Sequence, residues 1–199
     1  MTPRLRLLFL GLIALAAVLA TASVVLLVTR GGGAANAGSQ IGGPFTLTGE
    51  DGQKVSDTDF RGRYMLLFFG FTHCPDVCPL TLQRIADALE AAPELKDKVT
   101  PVLISVDPER DTPAAMKEYV AYFGPTFRGL TGSPDEIAAV LAAYGVYARK
   151  VKLEGSALDY TVDHSSFIYL FGPDGAFLTV FDPQQDSAAL AAKLKETVK

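Results

Sequence analysis

A chain of 199 residues that is 49% apolar and 20% charged can bury the core of one ordinary domain, and is not a disordered acidic or basic tail. Residues 1–30 carry only Arg4, Arg6 and Arg30; taking these three from 18 basic and 22 acidic residues leaves 15 against 22, a formal charge of −7. That acidity argues against nucleic-acid binding, which draws its affinity from neutralised phosphates, and two cysteines in one short stretch are too few for a disulfide framework.

From Leu7 to Thr29 there are 23 residues without a charge. At about 1.5 Å per residue, such a helix crosses a hydrocarbon core of about 30 Å. Arg4 and Arg6 hold the leading end in the cytoplasm, so the rest is expected on the extracytoplasmic side, in a periplasm or intermembrane space. Residues 1–30 therefore read as a membrane anchor. A cleaved signal peptide is the competing reading, with small-residue sites at Ala20-Thr21-Ala22 and Ala35-Asn36-Ala37. Residues 31–43, rich in Gly, Ala, Asn and Ser, read as a flexible tether, which leaves 44–199 as the folded domain.

Within that domain, Phe45–Leu47 and Lys54–Val55 flank the hairpin signal Asp51-Gly52. Tyr64 to Phe71 is a continuous apolar run, as expected of a strand buried on both faces. Leu82, Ile85, Ala86 and Leu89 recur at helical spacing, and Pro79 suits a first turn, so a helix is expected to start near Cys78. Val99 to Val106 reads as the next buried strand. Thr112-Pro113 opens a helix to about Phe123, and Ser133-Pro134 opens another through Ala143. Ser166–Phe171 and Phe177–Phe181 read as strands around the turn Gly172-Pro-Asp-Gly175, and Asp186–Val198 as a closing helix. Strands alternating with helices imply an α/β domain with parallel pairing, and the final hairpin adds antiparallel strands. A mixed sheet flanked by helices, with a cysteine pair after its first core strand, is the thioredoxin-like plan.

The pair lies in Phe71-Thr-His-Cys74-Pro-Asp-Val-Cys78-Pro79. Residues i and i+4 on a helical turn sit about 5–6 Å apart, which suits two thiolates on one metal ion. The unpaired N–H groups and dipole of a helix N-terminus stabilise a thiolate, the form that attacks disulfides and binds metals. Two merely buried cysteines are the plain alternative, but a proline after each at a strand–helix junction speaks against it. His73 reads as a surface histidine. His164, in Tyr160-Thr-Val-Asp163-His164-Ser165, precedes a late strand whose entry loop packs near the cysteine turn in this plan, so it is a candidate third ligand. Two thiolates and an imidazole form a soft set that favours copper, as Cu(I) or Cu(II), over zinc, which usually takes four protein ligands in structural sites.

These segments resemble the Sco/SenC family of copper-binding proteins over about residues 41–182. The resemblance rests on Gly43-Pro-Phe45-Thr-Leu47 with Asp51-Gly52, on Phe69-Gly-Phe-Thr-His-Cys74-Pro-Asp-Val-Cys78-Pro79, on Ser105-Val-Asp107-Pro-Glu-Arg110-Asp-Thr112, and on Tyr160-Thr-Val-Asp163-His164-Ser165. It implies copper ligands Cys74, Cys78 and His164. It also implies a part in building the binuclear copper centre of cytochrome c oxidase subunit II, as copper donor or as reductant of that centre's cysteines. Expected partners are that subunit or another copper recipient, an upstream copper donor, and the membrane through the N-terminal helix. A copper chaperone is a binding and transfer protein rather than an enzyme; the alternative is a thiol–disulfide oxidoreductase using Cys74 and Cys78 as a redox pair. Generic thioredoxins space their cysteines by two residues and usually carry a neighbouring Trp; this chain has three intervening residues and no Trp, which also weakens a peroxidase reading. Asp107, Arg110 and Asp163 read as loop caps and local ion pairs or as a docking surface, with Asp163 a candidate to orient His164.

Overall fold

The computed structural model describes residues 41–155 and 159–199. The predicted anchor at Leu7–Thr29 lies outside them, and among the described residues no helix is long and apolar enough to cross a membrane.

The chain opens with β1 (Thr46–Gly49) and β2 (Lys54–Ser56), then runs through β3 (Tyr64–Gly70), α1 (Val77–Glu90) and β4 (Val99–Ser105). It continues with α2 (Pro113–Ala121), β5 (Arg128–Thr131) and α3 (Pro134–Ala143). After these come β6 (Ala148–Lys152), β7 (Tyr160–His164), β8 (Ile168–Phe171), β9 (Phe177–Phe181) and α4 (Ser187–Thr197). Seven strands form one sheet in the order β2-β1-β5-β4-β3-β8-β9, while β6 and β7 pair only with each other. β3 runs parallel to β4 from Tyr64↔Val99 to Gly70↔Ser105 and antiparallel to β8 on its other side. This is a thioredoxin-like mixed sheet flanked by helices.

The core explains why β3 is central. Leu66, Leu67, Phe68, Phe69 and Phe71 are all sealed from solvent, so the strand has apolar cover on both faces, as its unbroken apolar run predicts. On one side α1 and α4 pack together. On the sheet itself, Tyr144 at the end of α3 meets Phe69 and Phe171 edge-on, with ring centroids 5.7 and 5.4 Å apart.

The helix starts follow their sequence signals. Thr112 Oγ1 accepts the Ala115 N–H, and Ser133 forms a reciprocal capping box with Glu136. Two expectations need correction. First, β8 begins at Ile168 rather than Ser166, because Ser165 is committed elsewhere: its N–H donates to the Tyr147 carbonyl and its Oγ accepts the Tyr147 N–H. Second, His164 precedes β8 as expected but does not lie in a loop; it ends β7, opposite Ala148 of β6. The β6–β7 hairpin was not expected, since Ala148-Arg-Lys-Val-Lys152 is mostly charged and exposed and shows no apolar alternation.

Candidate metal centre

β3 delivers the chain into the site. Gly70, its last residue, has no side chain, and a Cβ there would lie 3.1 Å from Cys78 Sγ and 2.8 Å from the Phe68 ring. The missing methyl makes room for the sulfur over the end of the strand. After Phe71 the chain turns, with the Cys74 N–H donating to the Phe71 carbonyl, and α1 begins only at Val77. The two cysteines therefore do not share a helical face: Cys74 lies in the turn and Cys78 in the first turn of α1. What joins them is capping. Asp76 occupies the N-cap position but its side chain makes no cap bond; instead the Cys78 N–H donates to Cys74 Sγ at 3.4 Å. A sulfur does the work that a Ser or Asp oxygen does at other helix starts.

The electrostatics separate the two sulfurs. A hydrogen bond from the Cys78 thiol is the main influence holding Cys74 down, to about 4; burial opposes it, and contacts from His164 and from the Asp76 and Cys78 N–H groups reinforce it. Cys78 is pushed far up by the same shared bond, then by its burial and by the charge on Cys74. At neutral pH the pair is thus one half-exposed thiolate accepting from one buried thiol. The expected helix-start effect appears at Cys74 alone.

His164 arrives from the far side of the site. Its Nε2 lies 3.5 Å from Cys78 Sγ, and its Nδ1 lies 3.0 Å from the Ser165 carbonyl, an acceptor to which Nδ1 donates, so the ring is held with Nε2 facing the sulfurs. Phe68 and Phe71 meet the imidazole edge-on at 6.2 and 5.8 Å between centroids. The Ser165 backbone, not Asp163, orients the ring: Asp163 is exposed and faces Arg149 at 3.9 Å. His73 points away, with Nδ1 2.9 Å from Thr72 Oγ1 and an exposed ring.

The donor atoms of Cys74, Cys78 and His164 all lie within 4.8 Å of one another, and they form the one such cluster among the described residues. Metal–sulfur bonds of about 2.3 Å and metal–nitrogen bonds of about 2.0 Å place donors about 3.5 to 4 Å apart around a three- or four-coordinate ion. The Cys78–His164 separation of 3.5 Å already meets that requirement, and Cys74 Sγ lies within 4.8 Å of both.

The sequence reading passed over Asp111. It is fully buried behind the cysteine turn, where it accepts the Thr72 hydroxyl at 2.6 Å, the Ser105 hydroxyl at 2.6 Å and the Thr72 N–H at 3.2 Å. Burial raises its pKa, while the bonds from Ser105 and Thr72 pull against that rise. It pins the residue two before Cys74. An acid directly before the cap Thr112 reads as a helix-start charge, which hid its inward role. Asp107 and Arg110 form the predicted local ion pair, and both turn toward Tyr160 of β7.

Fold and site together define a thioredoxin-like domain that presents two cysteines and a histidine at the mouth of its central strand. Residues 33–199 match the SCO1/SenC family, and the chain belongs to it. Among curated relatives, the mitochondrial SCO1 homolog of Homo sapiens is 43% identical over 157 residues, covering 77% of this chain and 52% of that protein. The chain spans about half the length of the first curated relatives it matches. Among solved structures, Bradyrhizobium japonicum ScoI with copper bound is 48% identical, with a TM-score of 0.73 over 79% of this chain and 99% of that one. Arabidopsis thaliana ScoI with copper bound is 44% identical, with a TM-score of 0.75 over 79% and 97%.

Proposed function

We propose that this chain binds one copper ion through Cys74, Cys78 and His164 and delivers it during assembly of the binuclear copper centre of cytochrome c oxidase subunit II. The observation that carries the reading is the convergence of two sulfurs and one imidazole nitrogen within 4.8 Å at an accessible strand end. Soft donors in that number favour Cu(I) and accommodate Cu(II) with a further weak ligand. Zinc is disfavoured because no fourth Cys, His, Asp or Glu joins the cluster among the described residues. Copper is cargo here. Incoming thiolates of the recipient displace the three ligands one at a time, and oxidation of the two cysteines to a disulfide abolishes binding.

The surroundings support delivery. An open groove of about 440 Å³ runs past the site between Asp76, Val77 and Leu80 at the start of α1 and Ser166 and Pro183 opposite. Val77 and Leu80 are 45% and 50% exposed, an apolar rim on which a recipient can settle. Residues 1–30 serve as the anchor and the stretch from 31 up to Ile41 as the tether, since Gly42 and Gly43 are already hydrogen-bonded to Ala143 and Tyr144 of the domain; together they hold the site on the extracytoplasmic face within reach of a membrane-bound oxidase.

One observation favours a second reading. An accessible thiolate at Cys74 backed by a buried thiol at Cys78 is the arrangement of an attacking and a resolving cysteine. In that role the chain reduces the disulfide of the recipient centre, and His164 is dispensable. His164→Ala separates the two. Copper delivery is expected to collapse, with Cu(I) affinity falling by about 100-fold or more, beyond the usual effect of an outer-shell partner, while thiol–disulfide exchange with a model disulfide persists. A variant that keeps full copper affinity and delivery rules out the three-ligand reading.

A further inference from the structure

His164 sits on an element with little holding it. β6 and β7 form a two-stranded sheet of their own, with no strand pairing to the seven-stranded sheet. An isolated two-stranded hairpin is marginal in water. Val162, in the middle of β7, is buried and supplies an apolar attachment. An exposed ion pair joins Lys150 of β6 to Glu109 in the loop after β4, and at the end of β7 away from His164 a less exposed side chain, Arg110, also bridges the gap. The Arg110 guanidinium donates through Nε to Asp107 Oδ2 and through Nη1 to the Tyr160 carbonyl at 3.1 Å. Its carbon lies 3.8 Å from the centroid of the Tyr160 ring and 5.9 Å from that of Phe71. The Tyr160 hydroxyl donates to the other Asp107 oxygen at 2.8 Å, and Asp107 is sealed from solvent. Asp107 is itself held to the main sheet, since its N–H donates to Ser105 Oγ at the end of β4.

We propose that Arg110 is a positioning residue that fastens the His164-bearing hairpin to the cysteine side of the site. One guanidinium touches both halves: Phe71, three residues before Cys74, and Tyr160, four residues before His164. Phe71 in turn stands edge-on to the imidazole. The planar fork bonds an acid and a carbonyl while stacking on an aromatic ring, a combination that a lysine ammonium does not reproduce. Asp107 is shared by Arg110 and Tyr160, so the three form one closed clasp rather than separate surface pairs. Through it the third ligand is presented already facing the sulfurs, and the ordering of a free hairpin does not weigh against metal binding.

The affinity part of the test rests on the copper reading; the exchange part does not. Arg110→Ala, Arg110→Lys and Tyr160→Phe are made in the reduced full-length chain, and amide hydrogen exchange is compared across the strands. The clasp predicts that amides of β6 and β7 exchange about tenfold faster or more in Arg110→Ala, while those of β3 and β4 keep their protection. Arg110→Lys restores little, and Tyr160→Phe, which removes only the hydroxyl bond, shifts β6 and β7 in the same direction by less. Uniform loss of protection, or none, overturns the clasp; should Arg110→Ala not fold, Tyr160→Phe decides on the same criterion. Cu(I) affinity is then measured by chelator competition in a double-mutant cycle with His164→Ala. Arg110→Ala is expected to weaken Cu(I) binding about 10- to 100-fold in the unsubstituted background and to change nothing further once His164 is gone. Equal losses in both backgrounds, or no loss in the first, overturn the proposal. If the unsubstituted chain binds no Cu(I), the copper reading fails while the exchange result still decides the clasp.

Discussion

The two arms of the site are built differently. The cysteine arm grows out of β3, a central strand of the main sheet buried from Met65 to Gly70, and is pinned by Gly70 beneath Cys78, by Asp111 behind Thr72, and by the Cys74 sulfur capping α1. The histidine arm is a two-stranded sheet beside the body, held by Val162, by the exposed Lys150–Glu109 ion pair, and by the Arg110 clasp at the end away from His164. The contrast gives the site a rigid half and an adjustable half. Two sulfurs are fixed by close packing, where small volume changes are felt at once. The imidazole is fixed by a few polar contacts and two aromatic edges, on a hairpin that shares no ladder with the main sheet. A carrier that must both hold an ion and release it gains from that division: the third ligand can leave without unfolding the first two.

The largest effect that sharpens the contrast is expected at Gly70. Gly70→Ala places a methyl 3.1 Å from Cys78 Sγ inside the packed half. Overpacking of this kind costs about 1–3 kcal/mol, read as a lowered urea midpoint. Cu(I) affinity should fall as well, because the sulfur must move. Full stability and full affinity in this variant would mean that the cysteine arm is as yielding as the histidine arm. The smallest effect is expected on the adjustable half at Asp163→Asn. Asp163 is exposed and its nearest cation stands 3.9 Å away, so stability should change by less than about 0.5 kcal/mol, with Cu(I) affinity unmoved. A tenfold loss of affinity there would restore Asp163 as the group that orients His164.

The same contrast explains what the sequence disclosed. The rigid half announces itself locally. The unbroken apolar run Tyr64–Phe71, the helical spacing of Leu82, Ile85 and Leu89, and two prolines beside two cysteines are short-range signals, and they place Cys74 and Cys78 correctly at a strand–helix junction. Local spacing misled on one point: five residues from Cys74 to Cys78 read as one helical turn, whereas Asp76 starts the helix and the sulfur of Cys74 caps it. The adjustable half is a long-range construction. Ala148–Lys152 carries charges on an exposed hairpin and shows no period, and the clasp unites Asp107, Arg110 and Tyr160 across 53 positions. Asp163 was the orienting candidate because it adjoins His164 in the chain, but neighbours along a strand point to opposite faces, and the Ser165 carbonyl is what reaches Nδ1. Asp111 was passed over because burial behind a turn is invisible to composition.

The central claim is that a thiolate at Cys74, a thiol at Cys78 and the imidazole of His164 form one copper site. Calorimetric titration of the reduced full-length chain with Cu(I) at pH 7 to 8, in buffers of different ionisation enthalpy, counts the ions bound and the protons released together. Because Cys74 is already deprotonated and Cys78 is not, one equivalent of Cu(I) should bind tightly and displace about one proton. Release of two protons would contradict the unequal pair, and absence of tight binding would contradict the copper site itself.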